Sequence, residues 1–558
     1  YIHFDMKKLF LTALFVFYGC SVSLTARERT LLEKIEAAKT VCNTASALSS
    51  KGAKSNQELS VLQEYSQITV IGNDSQYAII ANDDNFNAIL GYSDNPFRHS
   101  SASNPGFTWW INAMNETIEQ HIQDGTRPNY IAPSDSHKSE VSALIQTQWG
   151  QSSPYNNMTP TYIQNGVENH FVSGCVATAM AQVMKYYNYP TTGNGSKSYR
   201  CTMYGSDGSP ISKRLTANFS TGNYDWNNML HVYGASYTDE EGSAVAKLMS
   251  HCGISVQMDY DISGSGSYSF RVPEAMSKYF RYSQNLRFYV RNYMNIKEWT
   301  DIIFTFLSDG HPVLYGGNSK SGGHAFVIDG YDNRGLVHVN WGWNGSQDGY
   351  YDLSSLNGFS TGQEMIPVFI DDKEYDGYSS MFGTTESMRF SMFAGKLNAS
   401  GNRITNCSPE TFNGDFGLIA KPIGTNDKEI LLAKETGTCL GYGMDFYIYS
   451  INLNFPGVEL ANLQEGEYRV YFASKSSESQ KWEPVRSYDE RVNSAIITIS
   501  DGKILLEDEY NSGWTTGIEN ISNAKYGSND TMFSITGQLV DSSYRGIVIK
   551  NGKKYIVK

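Results

Sequence analysis

The spacing of hydrophobic positions changes several times along the chain, and each change marks a different kind of element. Residues 26–41, ARERTLLEKIEAAKTV, place apolar side chains at helical intervals with charges on the other face, which predicts an amphipathic helix. ITVIGN and QYAIIANDD are short, β-branched and bounded by Asn, Asp and Gly, so they predict strands, and ILGYSDNP closes with turn chemistry. TWWINAMNETIEQHIQDG returns to a helical period that a glycine ends. Together these predict a small α+β unit over residues 27–138. Its last segment, RPNYIAPSDSHKSE, is polar and proline-containing, the character of an exposed boundary open to proteolysis.

From 139 to 371 the pattern predicts a buried-face helix over 175–188, stopped by Pro190, and a glycine-rich cluster of strands around His324. Beyond Asp371, alternating runs such as FYIYSINL and EYRVYFAS are punctuated by GTND, LQEGE and SDGK turns, which predicts a β-sandwich over 385–508. Short strands over 519–558 predict a last module too small to hold much core.

At the other end, Lys7 and Lys8 precede LFLTALFVFYGC, an apolar run too short to span a bilayer as a helix, which reads as an export signal over 6–26 with translation from Met6. Cleavage near Ala26 is the preferred reading, and a lipid anchor at Cys20 is the alternative. The expected location is secreted or on the outer cell surface. A length of 558 residues implies several domains. The net charge of −13, with no basic stripe, argues against a nucleic-acid partner. Seven cysteines leave at least one unpaired, and Cys175 is the natural candidate; Cys201 with Cys252, or Cys407 with Cys439, are the pairs that share a domain. No Cys or His pairs stand at ligand spacing, so neither a metal nor a cofactor is expected.

The chemistry centres on GCVATAMAQVMKYYNYP, where a glycine delivers Cys175 into the first turn of a helix. A helix N-terminus carries roughly half a positive charge and free N–H groups, which stabilise a thiolate. Ala179, Met180, Val183, Met184 and Tyr187 bury one face of that helix, and Gly174 leaves room beside the sulfur. His324, in GGHAFVIDGYD, supplies a base at the start of a strand. If the chain reverses around Asp332, His324 and Asn340 become direct cross-strand neighbours, so that the Asn340 carboxamide orients the imidazole and Trp341 covers their bond. The Cys175 N–H supplies one oxyanion donor, and a side-chain amide is sought for the other; Gln151, in WGQSSPYNN, is the candidate and His170 its rival. His338 competes with His324 as the imidazole but lacks flanking glycines.

QSSPYNN (151–157), SGCVATAMAQVMKYYNYP (173–190), GGHAFVIDGYD (322–332) and VHVNWGWNGSQDGYYDL (337–353) resemble the streptopain family of papain-like cysteine peptidases. The resemblance implies an α+β fold, with Cys175 as nucleophile, His324 as general base and acid, Gln151 as oxyanion donor, Asn340 as orienter, Trp341 as shield and Gly323 lining the substrate cleft. It also implies protein or peptide substrates with a bulky apolar residue two positions before the cut. SQYAIIANDDNFNAILGYSDN is similar to the family's inhibitory propeptide, which places an activating cleavage near Lys138. FSITGQLV and GIVIKNGKKYIVK resemble a type IX secretion sorting module, which implies that machinery as a partner. Two other readings keep the same residues: a surface adhesin whose papain-like domain has lost turnover, and an amidase or transglutaminase-like acyl transferase.

Overall fold

The structure, a computed structural model, describes residues 27–508 except for internal stretches, the longest being 43–57, 98–103, 357–361, 374–381, 441–449 and 488–492, together with four short strands between 532 and 557. The expected signal, Cys20 and Cys407 lie outside the described residues.

The N-terminal unit runs α1 (Leu31–Cys42), β1 (Ser60–Glu64), β2 (Ile68–Gly72), β3 (Tyr77–Ala81), β4 (Ile89–Ser93) and α2 (Pro105–Asp124). Every residue of β2 and β3 is buried, because both faces of this sheet are covered. On one face Ala38 and Val41 of α1 meet Ile71, Ala78 and Ile80. On the other, Val70, Tyr77 and Ile79 join the main core with Trp110 and Met114 of α2. The start of α2 is set by Asn104, whose side-chain oxygen accepts from the N–H groups of Gly106 (3.0 Å) and Phe107 (3.1 Å), with Pro105 at the first helical position. Gly125 ends it in the left-handed region, φ 62°.

The central unit continues with the hairpin β5 (Thr161–Gln164) and β6 (Val167–His170), α3 (Cys175–Tyr187), the hairpin β7 (Ser196–Tyr204) and β8 (Pro210–Asn218), α4 (Asp239–Ser255), α5 (Val272–Phe280), β9 (Tyr289–Val290) and α6 (Ile296–Ser308). Five strands complete it: β10 (Val313–Ser319), β11 (Gly322–Tyr331), β12 (Val337–Asn340), β13 (Gly349–Tyr351) and β14 (Glu364–Pro367). The two units share one antiparallel sheet in the order β1-β2-β3-β4-β13-β12-β11-β10-β14-β9. Their seam is short, Tyr92 against Tyr350 and Gly91 against Tyr351. It is reinforced by the stacked Tyr92 and Tyr350 rings, by the Tyr77–Tyr351 hydroxyl contact (2.8 Å) and by the Trp110 indole N–H donating to the Asp352 carbonyl (2.8 Å).

The expected register between His324 and Asn340 is corrected. Asn340 pairs with Val327, because the chain turns two residues later than expected and β11 carries a bulge between Ile328 and Gly330. Asp332 sets the later turn by accepting from the N–H groups of Arg334 (2.9 Å) and Leu336 (3.0 Å), and Gly335 takes the positive φ of 87°. Cys201 and Cys252 are unpaired buried thiols: Cys201 lies against the Met258 carbonyl and Cys252 against the Met184 sulfur.

Two further sheets, from Phe382–Thr384 to Lys503–Asp508, enclose a separate core of Leu397, Ile404, Phe416, Leu418, Val470 and Phe472. Arg486 docks this sandwich on α6 through two bonds to the Glu298 carboxylate (2.8 and 2.6 Å). The strands between Met532 and Val557 form a four-stranded antiparallel sheet.

Candidate active site

Cys175 opens α3, and the residue before it must be glycine for two reasons. Gly174 has φ 90°, and a methyl group there would lie 2.7 Å from the Met258 side chain. The sulfur is partly exposed in a cleft of about 870 Å³ whose lining also includes Gln151, Gly323 and His324. Burial would push the Cys175 thiol up, but contact with the His324 imidazole and the N–H groups of Ala325 and Val176 outweighs it, and the thiol sits below its ordinary value. Burial would likewise push His324 down; contact with the Cys175 sulfur and with the Trp341 carbonyl raises it instead. Each group thus favours the charged form of the other, the direction that a thiolate–imidazolium pair requires.

The His324 ring is 5 % exposed and its Nε2 donates to the Trp341 carbonyl at 2.9 Å. A carbonyl only accepts, so Nε2 carries the proton in this contact and Nδ1 is left for the sulfur. Trp341 is fully buried between Phe326 and Tyr351, its indole N–H donating to the Gln347 carbonyl (2.9 Å). The Trp343 ring stands edge-on to His324 at 6.3 Å.

Asn340 does not reach the imidazole. Its Oδ1 accepts from Gln182 Nε2 (2.9 Å) and the Gly342 N–H (3.1 Å), while its Nδ2 donates to the Thr147 carbonyl (2.6 Å). Gln182, fully buried, also accepts at Oε1 from the Thr147 hydroxyl (2.9 Å) and the Trp149 N–H (3.2 Å). The network therefore ties α3 and the segment leading to Gln151 to both flanks of Trp341, the residue whose carbonyl receives His324. Gln151 itself is buried and lines the same cleft, its backbone carbonyl accepting from the Ser173 N–H at 3.0 Å, just ahead of α3.

The rivals fall away from the site. His170 bonds the Thr159 carbonyl just ahead of its hairpin, and His338 is paired with Asp329 of the neighbouring strand at 2.6 Å. Gly323 packs against Asn318, whose side-chain oxygen would have to shift to admit a Cβ.

From the other unit, the N-terminus of α2 lies over the catalytic strands. A methyl group on Gly106 would collide with the His324 ring and the Trp341 indole, and one on Gly317, the cross-strand partner of His324, would collide with Trp109. Pro105 borders the same cleft as Cys175.

A family model described as the Peptidase C10 family matches residues 149–351. Streptopain of Streptococcus pyogenes is 37 % identical over 284 residues, 48 % of this chain and 69 % of that protein. The chain belongs to the peptidase C10 family. It is a streptopain-like cysteine peptidase with a mixed α+β fold. The thiol protease/hemagglutinin PrtT of Porphyromonas gingivalis is 28 % identical over 306 residues, 51 % of this C10 peptidase and 34 % of that protein. A solved fragment of Prevotella intermedia prointerpain A is 38 % identical and covers 55 % of this chain and 97 % of its own, with a TM-score of 0.50.

Several residues at the site escaped sequence reasoning. Gln182 is a polar residue on the otherwise apolar face of α3, and Asn104-Pro105 is a helix-start signal just ahead of a glycine. Glu364, another cleft residue, is a charge opening an apolar strand. Each was visible as an exception to a local pattern, but none announced which partner it would meet.

Proposed function

We propose that this peptidase is an endopeptidase made as a latent precursor, in which the Cys175 thiolate attacks the scissile carbonyl and His324 moves the protons. The observation that carries this reading is the mutual contact of Cys175 and His324, which holds the thiol low and the imidazole high. In the first step the S–C bond forms as the C–N bond breaks, and the imidazolium proton passes to the leaving amine. In the second, His324 takes a proton from water, hydroxide adds to the thioester, and Cys175 leaves as thiolate. The Cys175 N–H and the Gln151 carboxamide are the oxyanion donors. Asn340 acts one step removed, fixing the backbone on either side of the Trp341 carbonyl.

Residues 27–138 are the propeptide in this reading. Gly106 and Pro105 sit on His324 and at the mouth of the cleft, so substrate cannot enter while α2 is docked. Cleavage near Lys138 releases them. Export follows from the sequence of residues 6–26, and the four-stranded module at the C-terminus serves as a type IX sorting signal.

Protein from residue 27 onward, incubated with casein or gelatin under reducing conditions beside a Cys175→Ala copy, tests the reading. Self-processing and hydrolysis by the parent alone are expected. If both proteins remain intact and inactive after an added protease trims them near residue 138, the peptidase reading fails and the binding or amidase readings take its place.

A further inference from the structure

One buried carboxylate beside the catalytic residues has no part in the chemistry above. Asp348 closes the loop between β12 and β13, its Oδ1 accepting from the Trp341 N–H at 2.9 Å across the base of that loop. It is 7 % exposed, and no lysine or arginine pairs with it among the described residues. Burying a carboxylate without such a partner is unfavourable, and burial pushes Asp348 up to about 7. What this burial achieves is a hold on one backbone N–H.

That N–H belongs to the residue whose carbonyl receives His324 Nε2 (2.9 Å). A residue's backbone has two soft dihedrals, which fix the peptide planes on either side of its Cα. At Trp341 each plane is pinned by a different side chain. Asp348 takes the N–H of the plane before it, and Asn340 Oδ1 takes the Gly342 N–H of the plane after it (3.1 Å). The second plane carries the Trp341 carbonyl itself. With both planes pinned, and the indole tied to the Gln347 carbonyl (2.9 Å), that carbonyl keeps one direction, toward the imidazole. Asn340 alone pins one plane, and the other needs Asp348.

We propose that Asp348 is a positioning residue of this peptidase, which by holding the Trp341 N–H aims the Trp341 carbonyl at His324. The inference rests on the peptidase reading and adds to it a residue that touches neither sulfur nor imidazole. The bond to the Trp341 carbonyl favours the charged imidazole, so Asp348 acts on the pH range of catalysis as well as on geometry.

The groups around both ends of this link are few. His338 of β12 acts on the Asp348 carboxylate with a favourable charge, and Asp329 of β11, paired with His338 at 2.6 Å, acts with an opposing one. Asp94, just past β4, bears on His338, and the buried Tyr77 and Tyr351 hydroxyls are the other titratable groups beside Asp348. At the far end the titratable partner of His324 is Cys175, while Phe326, Trp343 and Gly106 carry no charge. The N-terminal unit grips Asp348 from behind, its carbonyl accepting from Ser93 Oγ (2.5 Å) and Asn95 Nδ2 (3.3 Å). Processing in the sense proposed above removes those two bonds, whereas the bond to Trp341 lies wholly within 139–371 and remains.

The test therefore uses the full chain, processed and freed of its N-terminal unit, as parent, Asp348→Asn and Asp348→Ala. The kcat/KM on a fluorogenic peptide is followed from about pH 5 to about pH 10. Asp348→Ala should lower it about 10- to 100-fold, mostly through kcat, as a misaimed base does. The same variant should move the alkaline limb down by roughly 0.5–1 pH unit, the effect of a weakened hydrogen bond to a charged group. Asp348→Asn keeps an acceptor oxygen for the Trp341 N–H and gives up only the charge, so it should retain more activity and move the limb less, in the same direction. The position of a limb does not depend on the fraction of competent enzyme, so a variant that merely folds less well lowers the whole profile without moving it. An alkaline limb that stays at the parent's value in Asp348→Ala, or in Asp348→Asn where that variant alone folds, overturns the role of Asp348 and leaves the peptidase reading intact. If the processed parent cuts neither the peptide nor casein, the peptidase reading falls and the positioning role with it.

Discussion

Two opposing influences meet at Cys175. Burial disfavours a thiolate, and the imidazole and N–H groups around the sulfur favour it more, so the thiol is lowered while His324 is raised. The sign of the pH dependence follows. Activity is lost on the acid side as the thiolate takes up a proton through the lowered thiol value, and on the alkaline side as the imidazolium gives one up through the raised histidine value. The active window thus extends beyond the ordinary values of both groups, its two limbs belonging to the pair rather than to either residue. Alkylation by iodoacetamide in processed enzyme should persist below the ordinary thiol range, and His324→Ala should move the acid limb upward; an unmoved limb would mean that the imidazole does not hold the thiolate. Cys175→Ala should lower kcat/KM by at least about 10⁴-fold. Gln182 makes a sharper test of the site, because it touches neither sulfur nor imidazole. If Asn340 works by fixing the backbone around Trp341, Gln182→Ala and Asn340→Ala should each cost about 10- to 100-fold in kcat/KM, and the double variant little more than either alone. Full additivity of the two losses, read from the same kinetics, would separate the residues and return Asn340 to a direct role.

Helix α2 is where one element makes contact with the chemistry of another. Its first turn presents Gly106 to His324 and Trp341, a fit that leaves no room for a single methyl group. Gly106→Ala should therefore weaken seating of the proposed propeptide by about 1–3 kcal/mol, so that roughly 5- to 150-fold more precursor stands open, while processed enzyme, which would lack this residue, is unaffected. A fluorogenic substrate added to precursor that carries a blocked processing site reads the difference directly. The helix itself was legible from Thr108 onward, by its apolar stripe and closing glycine, while its Asn104-Pro105 start was not read; local pattern likewise marks α3 and β2 to β4. What pattern did not show was where these elements land. The two-residue seam of β4 with β13 joins segments more than 250 positions apart, and nothing in either strand names the other. The turn after β11 was misplaced because Asp332, read as its centre, instead caps a turn that closes on Gly335. That later turn alone would set Asn340 beside Ile328, and the bulge near the end of β11 shifts it by one, to Val327. Cys175, His324 and Gly323, which the structure brings to one cleft, could be singled out because their local sequences are distinctive. The Gln182 network and the place of Glu364 in the cleft could not, since they depend on strands and loops far away in the chain.

Across the whole molecule, the proposed latency would be a contest between one shared sheet and one exposed connection. The N-terminal unit contributes four of the ten strands and both covering helices of its half, so its departure uncovers β13 and part of the main core. The sandwich has its own core and meets the rest through Arg486 and Glu298, a contact that processing near Lys138 leaves in place. The connection to be cut is exposed at Lys138 but not free there. Its N–H donates to the Ser308 hydroxyl (3.2 Å), and its carbonyl accepts from the Tyr331 hydroxyl (2.7 Å), which also contacts Ser308 (2.7 Å). A protease needs an extended, released segment, so the precursor has to open this clasp before Lys138 can be cleaved. Tyr331→Phe keeps the buried ring against Phe304 and removes only the hydroxyl. The loss of about 0.5–1.5 kcal/mol raises the released population by roughly 2- to 10-fold. The rate at which added trypsin converts a Cys175→Ala precursor should rise by the same factor, with processed Tyr331→Phe enzyme retaining its kcat/KM. A conversion rate equal to that of the parent precursor would show that the clasp does not govern cleavage, and that opening is limited instead by undocking of α2 from His324.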